Sequence, residues 1–78
     1  MKSIKEQFYT LMRSKGFESL RGFARACDIE VGNVHSNLSG KYKLSIERAF
    51  TFAVVLKVPI DTILAIFYPD EMKSLEDF

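Results

Sequence analysis

The chain has 78 residues, 47% of them hydrophobic and 27% charged, and its 11 basic and 10 acidic side chains leave a net charge of +1. That is the length and balance of one small globular domain, which excludes a second domain and a fibrous or wholly disordered chain. A chain this short buries only roughly 60% of its unfolded surface, so a deep catalytic cleft is hard to build.

Single residues narrow the class further. Cys27 is the one cysteine, so no disulfide can close within the chain. Small secreted domains usually need such staples, which points to a reducing compartment. Cys27 itself reads as a small buried hydrophobe. His35 is the one histidine, and one cysteine eight residues before it makes no metal site. Ser36 lacks a His and Asp arrangement, and there is no Gly-rich phosphate loop. No catalysis, cofactor or metal is therefore expected. Met1-Lys2 leads into Ser3, Ile4, Lys5 and Glu6 rather than an apolar run, so no secretory signal is expected. The most apolar stretch, Ala49 to Phe67, is interrupted by Lys57, Pro59 and Asp61, each costly in lipid. A cytoplasmic protein with no membrane span is the expectation.

Five helical patterns follow one another. Ser3 and Glu6 have capping-box spacing, and Ile4, Phe8, Leu11 and Met12 then give an apolar face that Gly16 can stop. The second helix runs from about Leu20 to Cys27 with Ser19 as N-cap, and Leu20, Phe23, Ala24 and Cys27 form its stripe. The third, about Glu30 to Ser39, sets Val31, Val34 and Leu38 against Gly32, Asn33, Ser36 and Ser39 on the other side, and Gly40 closes it. The fourth is capped by Ser45, with Glu47 in its first turn and Ile46, Ala49, Phe50, Ala53 and Leu56 facing the core, while Phe52 falls off that stripe. Val58-Pro59 ends it. The fifth takes Asp61 as N-cap and carries Ile63, Leu64 and Phe67 up to Pro69. Residues 1–69 read as one domain, and 70–78 as an acidic tail, partly disordered, with Asp70, Glu71, Glu76 and Asp77 against Lys73.

Helices two and three, joined by a short turn, form a helix-turn-helix over about residues 20–39. Such helices cross steeply, so one position on the first must be small. Ala24 holds it, and Ile29 and Val34, each five residues further on, fill the wedge.

The run Leu20-Arg21-Gly22-Phe23-Ala24-Arg25-Ala26-Cys27-Asp28-Ile29, continued by Val34 through Lys41, resembles the Cro and phage-repressor helix-turn-helix family. Leu44 through Ala49, then Ala53, Leu56, Val58, Pro59, Ile60, Asp61, Ile63 and Leu64, are similar to the same family's fourth and fifth helices in order and spacing. The resemblance spans about Ser19 to Phe67. It implies an all-α, five-helix, lambda-repressor-like domain that binds a double-stranded DNA operator, with helix three in the major groove. It also implies phosphate contacts from Ser19, Arg21, Ser39, Lys41 and Lys43, and base reading by Asn33, His35 and Ser36. Paired donor and acceptor groups let asparagine read adenine, at about 1–3 kcal/mol of discrimination. This chain departs from the family at four places. Leu20 replaces a glutamine, and Gly32 stands where relatives carry a long polar reader. Asp28 replaces the glycine of the turn, where a left-handed backbone costs aspartate less than most residues. Asn37 replaces a large apolar residue, so either helix three is turned slightly or Asn37 caps a loop.

Charge is distributed in the same sense. Arg13 to Arg48 holds seven basic and four acidic residues, or +3, and the other 42 residues hold four and six, or −2. The family pairs its domains so that two third helices meet successive major grooves, roughly 34 Å apart. A homodimer is therefore expected, through the apolar surface of helix five: Ile60, Ile63, Ala65, Ile66, Phe67 and Tyr68. The expected function is a Cro-type transcriptional regulator. The rival is an antirepressor or modulator that uses the same fold to bind a phage repressor protein.

Overall fold

The computed structural model describes residues 3–76, with side chains as far as Lys73. Those residues form six helices and no strand: α1 (Ile4–Ser14), α2 (Leu20–Ala26), α3 (Val31–Ser39), α4 (Ile46–Leu56), α5 (Ile60–Phe67) and α6 (Pro69–Glu76). None is long and apolar enough to cross a membrane.

Three helices start on serine. Ser3 Oγ accepts from the Glu6 amide, Ser19 Oγ from the Gly22 amide and Ser45 Oγ from the Arg48 amide, each at 3.1 Å. Each bond satisfies a first-turn donor that the helix itself leaves open. Gly16 and Gly40 follow α1 and α3 at φ 92° and 83°, a backbone region that glycine enters without strain.

The expected acidic tail is instead a helix. Pro69 ends α5 and also opens α6, because its fixed φ suits a first helical position. Asp70 and Glu71 lie in the first turn, where the helix dipole favours carboxylates. The described residues thus form six helices, not the expected five, and Asp77 and Phe78 lie outside them. The Tyr68 hydroxyl joins the end of α5 to the stretch before α4 by donating to the Leu44 carbonyl at 2.7 Å. Asp61 is not the cap of α5. Pro59 takes that position at φ −61°, ψ 149°, and Asp61 falls in the first turn.

The core is aromatic at its centre. Phe8 of α1, Phe23 of α2 and Phe52 of α4 meet with ring centroids 5.3, 5.4 and 5.2 Å apart. Phe17 packs edge-on against Phe23, and Phe67 of α5 against Phe8. Met12, Val34, Leu56 and Ile63 fill the space around them. On the expected face of α4, Ala49, Ala53 and Leu56 are in the core, but Ile46 and Phe50 are exposed, and Phe52 is buried there instead. Helix five also differs from expectation. Ile63 and Ile66 are buried, Ile60, Phe67 and Tyr68 half-buried, and only Ala65 of the proposed surface is exposed. It completes the core rather than offering a free apolar face.

Phe52 is 0% exposed and Phe50 54%. Phe52→Ala should therefore lower the unfolding free energy by about 3–5 kcal/mol, and Phe50→Ala by less than about 1 kcal/mol. Urea denaturation followed by far-ultraviolet circular dichroism measures both, and equal losses would show the helix turned otherwise.

Candidate nucleic-acid interface

The turn between α2 and α3 has the expected construction. Ala24 and Val34 are buried, and Ile29 packs half-buried against the same core. The Ile29 amide donates to the Ala24 carbonyl at 3.0 Å, and the Asp28 amide to the Arg25 carbonyl at 3.1 Å. Asp28 takes φ 59°, the left-handed conformation the turn requires. The three wedge residues thus belong to one cluster, and α3 is held with one side out.

That outward side is narrow. Val34, Asn37 and Leu38 point inward. At roughly 100° per residue, the line facing furthest from them is Gly32, Ser36 and Ser39, with Asn33 and His35 on opposite flanks. Asn33, His35 and Ser39 are exposed and Ser36 half-buried. Both serine hydroxyls fold back onto the helix. Ser36 Oγ donates to the Gly32 carbonyl at 3.0 Å, and Ser39 Oγ to the Ser36 carbonyl at 3.2 Å. Ser39 Oγ also accepts from the Lys41 amide at 3.4 Å. The crest of α3 is therefore almost smooth, and the side chains that reach beyond it are Asn33 and His35. Nothing lies within 4 Å of a Cβ built on Gly32, so packing within the domain does not require glycine there.

Asn37 explains its departure from an apolar residue. It is 4% exposed, and its Nδ2 donates to the carbonyls of Tyr42 and Lys43 at 3.2 and 3.4 Å. Its Oδ1 accepts from Arg48 Nη1 at 3.2 Å. It therefore ties the loop after α3 to α4, which is the loop-capping alternative. Both Asn37 and Arg48 were absent from the expected site. An amide at a core position with a cation eleven residues on was the available signal.

The loop held in this way carries Lys41, Tyr42 and Lys43, all exposed, with the Lys41 ammonium 5.6 Å from the centre of the Tyr42 ring. Arg21 and Arg25 are exposed on α2. Ser19 is exposed, and its Oγ already accepts from the Gly22 amide, so only its hydroxyl proton remains for a phosphate. Arg48 is half-buried and keeps its full charge, with its guanidinium held against Asn37. Cys27 is buried where α2 ends, and burial pushes its thiol from 9.0 up to about 11, against a smaller opposing pull from Arg48. A neutral, covered thiol is a poor nucleophile.

No family model, curated protein or solved structure matches this chain.

Two measurements test the geometry. Asn37→Ala leaves the Arg48 guanidinium and two loop carbonyls without this partner, and should lower stability by about 1–3 kcal/mol in urea denaturation. Cys27 should resist thiol reagents until the domain unfolds. Because its folded pKa lies above its unfolded one, its contribution is complete below about pH 9 and is lost as pH rises towards 11. The stability of the wild-type chain should fall relative to Cys27→Ala across that interval, and parallel curves would contradict the burial.

Proposed function

We propose that this chain is a cytoplasmic, sequence-specific DNA-binding regulator of lambda-repressor-like fold. In this reading, α3 enters the major groove of an operator duplex, and two copies act on two half-sites. Asn33 and His35 read base edges from the flanks of the crest, with Ser36 between them as an acceptor. Arg21, Lys41 and Lys43 hold phosphates on either side, assisted by the Ser19 and Ser39 hydroxyls. No covalent step is involved. Regulation follows from occupying the site and excluding polymerase.

The observation that carries this reading is the crest of α3. Its outermost line of Gly32, Ser36 and Ser39 is short and polar, and the adjoining loop is basic. A glycine with open space above it costs helix stability, by about 1 kcal/mol against alanine, unless something outside the domain must come close. The floor of a groove is such a surface. The same short side chains also suit a repressor protein as partner, which keeps the modulator as a second reading.

The test is a titration against a random-sequence duplex pool across salt, followed by selection of the preferred site. Affinity should fall with a log–log slope of about −0.9 per phosphate contacted. Lys41→Ala should weaken binding to all sequences alike, and Asn33→Ala should relax preference at one base pair by about 1–3 kcal/mol. Gly32→Ala should raise thermal stability and weaken DNA binding together. No binding at low salt would sink this reading and leave the repressor-binding one.

A further inference from the structure

We infer that the face of α4 carrying Ile46, Phe50 and Val54 is a self-association surface, and that its occupant is a second copy of this chain packed antiparallel across a two-fold axis. The inference stands without nucleic acid, since neither the surface nor its test involves DNA.

The three residues are four apart, so they line up along one side of the helix. They are 56%, 54% and 74% exposed, while Ala49, Phe52, Ala53 and Leu56 of the same helix are buried. A β-branched valine lowers helix propensity, and Val54 has no compensating burial within the monomer. Nothing inside the domain accounts for this ridge.

Shape and charge point to a second copy. A hollow of about 330 Å³ adjoins Ile46 and is lined also by Leu44, Leu64, Tyr68 and Met72, with Glu71 at its edge in α6. Another of about 300 Å³ adjoins Phe50 and Val54 and reaches Ala26, Cys27 and Val55. A ridge with an apolar hollow along each side can mesh with its own image, as a two-fold interface requires. Glu47 is exposed near the start of α4 and Lys57 at its end. Antiparallel packing sets the Glu47 of each copy towards the Lys57 of the other, and aligns the helix dipoles favourably. Parallel packing sets like charges together. A lipid surface would favour a basic rim, whereas this rim carries Glu47 and Glu71 against Lys57.

The area is sufficient but small. The ridge leaves on the order of 300–400 Å² of apolar surface bare, comparable to the largest patch on an ordinary monomer. Two such faces with the edges of their hollows cover about 1,000 Å² in total, the low end for specific contacts. A weak dimer follows, with a Kd in the micromolar range.

Sedimentation equilibrium of the whole chain, without DNA, from about 1 to 500 µM tests this. The expected result is a monomer–dimer equilibrium that Phe50→Glu, and separately Val54→Lys, weakens at least about 10-fold. Both exposed substitutions should keep the circular dichroism spectrum and a cooperative melt. Glu47→Lys should weaken the dimer several-fold, and adding Lys57→Glu should restore it, a reciprocity that only antiparallel self-packing produces. A wild-type chain that stays monomeric at about 500 µM overturns the inference, as does a dimer indifferent to both Phe50→Glu and Val54→Lys. Failure of the double charge exchange to restore association overturns the antiparallel arrangement.

Discussion

The contact of Phe8, Phe23 and Phe52 is the constraint on which the rest of this domain depends. Each ring comes from a different helix, each is fully buried, and each touches the other two. Tilted and edge-on aromatic pairs add to the burial itself, about 0.5–1.5 kcal/mol for each. A chain of 78 residues without an internal disulfide has few other ways to fix three helices. With α1, α2 and α4 set by these rings, α3 has little freedom. It packs on α2 through Ala24 and Val34, and Asn37 holds it to α4 through Arg48. Its polar crest faces outward because its other side is held twice.

Asn37 shows how a polar group in a small core can serve stability and display together. Buried without partners, its amide would cost about 1–3 kcal/mol. Both ends of the amide are occupied, and the carbonyls it satisfies are those of Tyr42 and Lys43. The hydrogen bonds that make the asparagine tolerable therefore also place a loop with two ammonium groups beside the end of α3. An apolar residue at position 37 could fill the space but could not hold that loop. The polar residue at this core position is thus part of how this chain presents positive charge.

What could be read from the sequence was whatever a few neighbouring residues decide. The serine caps, the glycine stops and the left-handed Asp28 each depend on two to four positions, and all have the expected geometry. The wedge of Ala24, Ile29 and Val34 was legible because a steep helix crossing restricts side-chain size. The face of α4 was not. Ile46, Ala49, Phe50, Phe52, Ala53, Val54, Val55 and Leu56 make that helix apolar nearly all round, so periodicity cannot choose between Phe50 and Phe52. The choice is made by the rings of α1 and α2, which lie far away in sequence. Pro69 misled for a different reason, since proline closes one helix and opens the next by the same fixed φ. Asn37 and Arg48 could be found only once the loop had brought two carbonyls to the amide.

The domain consequently presents two ridges of opposite character. On α3 the side chains are short, polar and folded back, which lets a backbone approach another surface closely. On α4 they are long and apolar, and they gain only by being covered. Neither ridge can do the other's work. Gly32 and Ser36 offer little apolar area, and Phe50 and Val54 offer no side-chain hydrogen bond. The dimensions agree with such a division. The body measures 38 × 26 × 24 Å, so two copies side by side have centres between about one width and one length apart. Successive major grooves on one face of DNA recur at roughly 34 Å, within that interval. The proposed α4-to-α4 pairing and the proposed entry of α3 into a groove are therefore compatible in size, and each rests on different residues.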